Sequence, residues 1–200
     1  PAWMRPGAPA RICSHDGNAS FHSPADSPSA TPCPAVHALV VEVCRVVENH
    51  APGLLLRYSL KGDLSRLRLP PPAEAPCFTD GLWQHTCLEA FIGESGQPAY
   101  REFNFSPSGH WAAYAFSSER TRDALQPEWP SPAIALDRTN DNLVLEARLP
   151  MPARALGSPL PMGLTAVIET QDGNLSYWAL HHPAERPDFH RNAGWVAWLA

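Results

Sequence analysis

The chain has 200 residues, 44% of them hydrophobic, and seven tryptophans, enough for one domain with a sizeable core. Its formal net charge is −5 and it has no basic run, so nucleic acid, which is bound by neutralising phosphates, is not an expected partner. No stretch approaches the roughly 18 consecutive apolar residues of a membrane-spanning helix, and no membrane partner is expected either.

Lys61 is the single lysine, and the bias toward Ala and Pro carries no functional reading. Cys13, Cys33, Cys44, Cys77 and Cys87 form no C-x-x-C pair, and their odd number argues against a disulfide framework. Free thiols in a reducing compartment are expected. The N-terminal stretch lacks an apolar run of signal-peptide length, which makes the cytoplasm the default location. The oligomeric state is not legible.

Residues 1 to about 35 are rich in Pro, Ser, Ala and Gly and show no periodicity, so they are expected to form a disordered tail ahead of a domain over 36–200. The Cys13, His15, His22 and Cys33 set within this tail matches no structural zinc spacing. From Leu39 onward short β-rich runs alternate with breakers. The expected strands are Leu39–Val47, Leu54–Lys61, Ser65–Leu69, Trp83–Ile92, Tyr100–Ser106, Trp111–Ser117, Ala133–Arg138, Leu143–Leu149, Leu164–Thr170, Leu175–His181 and Trp195–Leu199. Between them lie "APG", "PPPAEAP", "GESGQP", "SPSG", "TNDN" and "QDGN". Asp172-Gly173 in "QDGN" suits a type I′ hairpin turn, with "SPSG" nearly as strong, and "MPARALG" (Met151–Gly157) is the one short helix candidate. This spacing predicts an all-β fold, a β-sandwich of about ten antiparallel strands with at most one short helix.

Chemistry-bearing residues concentrate in "GLWQHTCLEAFI". Strand alternation sends Leu88, Ala90 and Ile92 to one face, and Trp83, His85, Cys87, Glu89 and Phe91 to the other. Pairing through "GESGQP" would set Trp83, His85 and Glu89 beside Tyr100, Glu102 and Asn104. Such an aromatic and polar face suits a sugar, whose C–H faces stack on rings while its hydroxyls meet Glu, Asn and His. An ordinary solvated or partly covered sheet face is the alternative.

A second cluster, "LSYWALHHPAERPDFH", holds Tyr177, Trp178, His181, His182, Asp188 and His190. Its prolines indicate a turning loop rather than a metal scaffold, and no metal is expected. No G-x-S-x-G elbow or phosphate-cradling glycine loop occurs. Cys87 near His85 reads as a buried thiol, and Glu89 with Glu102 would serve a glycosidase only if opposed across a cleft.

The linked motifs "GLWQHTCLEAFI…YREFNFSPSGHWAAYAF" and "GLTAVIE…LSYWALHHPAERPDFH" resemble the bacterial branch of the DOMON-like ligand-binding domains, related to carbohydrate-binding module family 9. The resemblance runs from about Leu39 to the C-terminus and implies a β-sandwich that binds a small ligand, sugar or haem, without catalysis. It matches Trp83, Cys87, Glu89, Tyr100, Glu102 and Phe103 to the hallmark strand pair. To the bacterial branch it matches His85, Asn104, Ser106, Pro107, Gly109, Trp178, His181, Pro187, Asp188 and His190. Thr86 stands where sugar-binding relatives often have Asp, and no Met ligand lies within the motifs.

The reading that follows is a non-catalytic domain for a saccharide or similarly hydroxylated ligand, needing no cofactor. Trp83, Tyr100 or Trp178 would stack on the ligand and His85, Glu89, Glu102 and Asn104 would orient it, with His181, Asp188 and His190 nearby. The alternatives are a haem-binding electron-transfer module using His85 or His110, and a protein-interaction module.

Overall fold

A computed structural model describes residues 18–21, 33–48, 51–125, 129–152 and 158–199. The protein is all-β, as expected. The described residues form twelve strands: β1 (Asn18–Phe21), β2 (Val36–Glu48), β3 (Ala51–Gly62), β4 (Cys87–Gly93), β5 (Tyr100–Phe105), β6 (Trp111–Ser118), β7 (Thr121–Arg122), β8 (Ala133–Arg138), β9 (Asn142–Pro150), β10 (Leu160–Glu169), β11 (Leu175–Ala179) and β12 (Ala197–Leu199). One sheet has the order β1-β2-β3-β9-β8. The other runs β11-β10-β4-β5-β6-β7, and β12 also pairs with β10. These strands pair antiparallel throughout, and the two sheets form a sandwich.

Period-2 alternation builds the core. Leu54, Leu56, Tyr58 and Leu60 of β3, with Leu143, Leu145, Ala147 and Leu149 of β9, meet Leu88, Ala90 and Ile92 of β4 and Leu164, Ala166 and Ile168 of β10. Each fully buried Leu or Ile contributes about 1.5–3 kcal/mol relative to exposure. The Tyr58 hydroxyl crosses the sandwich and donates to the Glu89 carbonyl at 2.7 Å, satisfying a polar atom that is otherwise sealed in the core.

The tail expected over residues 1 to about 35 lies mostly outside the described residues. Within it Asn18–Phe21 pairs with Leu39–Glu42, and Cys33 and Ala35 are buried in the core, so packing begins ahead of Leu39. Cys33, Cys77 and Cys87 are free thiols, whereas Cys44 is disulfide-bonded, which corrects the expectation of free thiols throughout. The short helix proposed at 151–157 falls largely outside the described residues.

Three local expectations change. Ser65–Leu69 is not a strand: a 3-10 turn, Leu64–Arg66, is capped by the Asp63 side chain, and Leu67 makes one bridge to Thr170. β4 begins at Cys87 rather than Trp83. Gly81, at φ 76°, bends the chain into a second 3-10 turn over Leu82–Gln84. "QDGN" is not a type I′ turn, because Asp172 has no positive φ. Gly173 N–H donates to the Thr170 carbonyl and Gly173 alone is left-handed, which gives a three-residue loop. "SPSG" follows the same plan with Gly109. No helix among the described residues is long and apolar enough to cross a membrane.

Candidate functional site

The face of the seven-stranded sheet that points away from the sandwich core carries the expected cluster. Strand register sets Thr165, Glu89, Asn104 and Ala112 in one row across β10, β4, β5 and β6. Gly163, Phe91, Glu102 and Tyr114 form the next row, and Gly93, Tyr100 and Phe116 the one beyond. Glu89, Tyr100, Glu102 and Asn104 therefore share a face, as alternation and pairing through "GESGQP" predict.

That face is covered, not open. Glu89 is 2% exposed and Asn104 0%, and every residue of β4 is buried on both sides. Phe91, Tyr100, Ala112, Tyr114, Phe116 and Trp195 form a second apolar cluster, joined by Leu82 and Phe189. Two remote segments supply the cover: the turn bearing Leu82, and the chain between β11 and β12 bearing Phe189, His190 and Trp195.

Tyr100 cannot serve as a free stacking platform. Its ring stacks on Phe116 at 4.8 Å and meets the edge of Trp195, and its hydroxyl lies 2.7 Å from His190 Nδ1. The same hydroxyl accepts from the Arg120 backbone N–H at 3.2 Å. Burial, with a smaller contribution from Glu102, pushes Tyr100 up to about 12 against the opposing effect of Arg120. Trp178 is also corrected. Its partner in register is Ala166, an inward residue, so the indole is in the sandwich core, 2% exposed, and donates to Ser176 Oγ. Tyr177 takes the outer face instead.

Trp83 and His85 lie on the turn and its exit, not on β4. Trp83 is 48% exposed, and His85 Nδ1 is 2.8 Å from Glu169 Oε2. Arg68 holds the other oxygen of that carboxylate at 2.7 Å. Cys87 is sealed at the base of β4, where burial followed by the Glu89 charge pushes its thiol up, so it forms no reactive couple with His85.

Around Glu89 the polar groups are closely knit. Thr165 Oγ1 donates to Glu89 Oε2 at 3.0 Å, and Asn104 Nδ2 donates to Glu102 Oε1 at 2.8 Å. The Tyr114 hydroxyl donates to Asp80. Asn104 Oδ1 is fully buried and has no hydrogen-bond partner. Desolvation first, and the Glu102 charge second, raise the Glu89 carboxyl to about 8 against the Thr165 hydrogen bond. Burial likewise raises Glu102, while Asn104, Arg122 and Arg120 oppose the shift. The two carboxyl groups sit on adjacent strands of one face, not opposed across a cleft as the glycosidase alternative requires.

Asp188 and His190 fasten the covering segment. Asp188 Oδ1 accepts from Arg120 at 2.7 Å and from the His190 backbone N–H at 3.2 Å, and Arg191 approaches Oδ2 at 3.4 Å. The His190 ring lies against Phe91 and Phe116, with Nε2 3.7 Å from Glu102. His181 stands exposed and apart. No group of His, Cys, Asp and Glu among the described residues could hold a metal ion.

Sequence reasoning missed Thr165, Tyr114, Glu169 and the covering Leu82, Phe189 and Trp195. Thr165 carried a legible signal, a lone hydroxyl inside the apolar "GLTAVI". Trp195 is admitted by Gly163, where an added Cβ would fall 2.3 Å from the indole Cδ1.

No family model and no curated protein matches the chain. Among solved structures, it is similar to a candidate carbohydrate-binding protein from Bacteroides uniformis, with a TM-score of 0.52 and 16% identity over 78% of this chain and 75% of that one. The likeness is one of fold.

Proposed function

We propose that this domain binds a saccharide or a similarly hydroxylated small ligand, without chemistry on it, at the cluster of Glu89, Glu102, Asn104 and Thr165. The observation that carries the reading is Asn104 Oδ1, a fully buried carbonyl oxygen with no partner beside two carboxyl groups. An unsatisfied buried acceptor costs about 1–3 kcal/mol and is rare in native folds, so it invites a ligand donor. The description of the Bacteroides protein supports the same class of ligand.

Access requires a covering segment to lift. The turn at Leu82–Gln84 follows Gly81, whose left-handed backbone favours glycine, and carries Trp83 half-exposed next to Leu82, which packs on this sheet face. Of the three rings expected to stack on a sugar face Trp83 is the one left exposed, and His85 is steadied by Glu169. Tyr100, Asp188 and His190 act as fastenings of the cover, Trp178 as core, and His181 has no assigned part.

A panel of monosaccharides tested by thermal shift and titration calorimetry checks this. A bound sugar at one hundred times Kd adds about 2.7 kcal/mol of stability. Asn104→Ala and Trp83→Ala should each weaken binding. Absence of stabilisation by every sugar in the panel would sink the proposal.

A further inference from the structure

The cluster is unbalanced in its hydrogen-bonding capacity. The permanent donors on this face are already engaged, Asn104 Nδ2 with Glu102 Oε1, Thr165 Oγ1 with Glu89 Oε2, and the Tyr114 hydroxyl with Asp80, and the Glu89 carboxyl adds a donor only while it holds its own proton. The Tyr100 hydroxyl faces His190 Nδ1. What remains is acceptor. Asn104 Oδ1 has no partner, and Glu102 Oε2 has His190 Nε2 only at 3.7 Å, beyond hydrogen-bond reach.

A neutral hydroxyl would bring one donor and also two lone pairs of its own into a place short of donors. An ammonium group brings three donors, no acceptor, and a charge opposite to the carboxyl groups. Resting on the saccharide reading above, we infer that the group recognised at Glu89, Glu102 and Asn104 is a protonated amine, so that the ligand class is an amino sugar with a free amino group. An N-acetylated sugar lacks the charge and adds a carbonyl acceptor, and is excluded.

The state of Glu89 agrees with this. Raised to about 8 by burial and then by Glu102, it carries a proton at neutral pH while the cation is absent. Its surroundings are Cys87 on its own strand, Glu102 and Asn104 on β5, Thr165 on β10, and Tyr58 from the facing sheet. Arg120, Arg122, Asp80 and His190 act on Glu102. A docked ammonium favours the ionised carboxyl, so binding should expel close to one proton, roughly.

The test titrates the whole chain at pH 7 with glucosamine, glucose, N-acetylglucosamine and 1,4-diaminobutane, in phosphate and in HEPES, so that buffer ionisation heats count the protons. Glucosamine is expected to bind at least roughly tenfold more tightly than glucose or the N-acetyl sugar, with proton release. Glu102→Gln, checked for folding by its melting curve, should erase that preference, and Glu89→Gln serves if it does not fold. Glucose binding as tightly as glucosamine, or the preference surviving in the folded variant, would overturn the amine inference and leave the saccharide reading standing. Diamine binding with no sugar bound would keep the amine and overturn the saccharide. Silence from all four would overturn both.

Discussion

The Tyr100 hydroxyl and Nδ1 of His190 lie 2.7 Å apart, although 90 residues separate them in the chain. This contact pins the segment between β11 and β12 onto the sheet face, and a neutral His190 leaves Nδ1 able to accept from the hydroxyl. Burial first, then the Arg120 charge, depress His190 from 6.5 to about 4. Between those values the unfolded chain binds a proton that the folded chain refuses. The stabilising contribution is therefore full above about 6.5 and is lost as pH falls toward 4. Relative to His190→Asn, the wild type should lose about 2–3 kcal/mol across that window, measured by urea denaturation at stepped pH.

Glu89 gives the opposite slope. Its carboxyl is raised from 4.5 to about 8, so the folded state holds a proton that the unfolded state has released. Its contribution is full below about 4.5 and is lost as pH rises through 8. Glu89→Gln should flatten the alkaline loss by something on the order of 3 kcal/mol, read from melting curves between pH 5 and 9.

The two tryptophans once paired as stacking platforms should separate cleanly. Trp178→Ala empties part of the sandwich core and should cost about 3–5 kcal/mol. Trp83→Ala removes a half-exposed ring and should change stability by no more than about 0.5 kcal/mol while weakening sugar binding. Equal stability losses would contradict the placement of Trp178 in the core.

Gly163→Ala should be costly for a steric reason alone. The new methyl would fall 2.3 Å from Cδ1 and 2.6 Å from Nε1 of Trp195, so the indole or β10 must move. A loss of about 1–3 kcal/mol and an altered near-ultraviolet dichroism spectrum are expected. An unchanged spectrum would show that Trp195 does not rest on this glycine.

The sandwich was readable because period-2 alternation and turn chemistry survive in a single sequence. The same alternation brought Glu89, Glu102 and Asn104 to one face. It could not show that the face is covered, because Leu82, Phe189 and Trp195 arrive from segments without periodicity, positioned only by tertiary packing. Nor could it choose between Tyr177 and Trp178. Two adjacent aromatics always face opposite ways, and the register of β11 on β10, with Trp178 opposite Ala166, decides which one is core. Gly81 stood outside the turn signals read from the sequence, and the start of β4 at Cys87, with Trp83 held off the strand, follows from its left-handed backbone and the 3-10 turn after it.

β11 and β12 both pair with β10, one along Thr165–Glu169 and the other along Leu160–Met162. The covering segment therefore leaves and rejoins the same strand, like a handle fixed at both ends. A single proteolytic nick in its exposed Glu185-Arg186 stretch would leave both pieces hydrogen-bonded to β10, one through β11 and the other through β12. The severed C-terminal piece would stay associated through Trp195 and Leu199, and the domain would travel on a gel as two bands while migrating through a sizing column as one body.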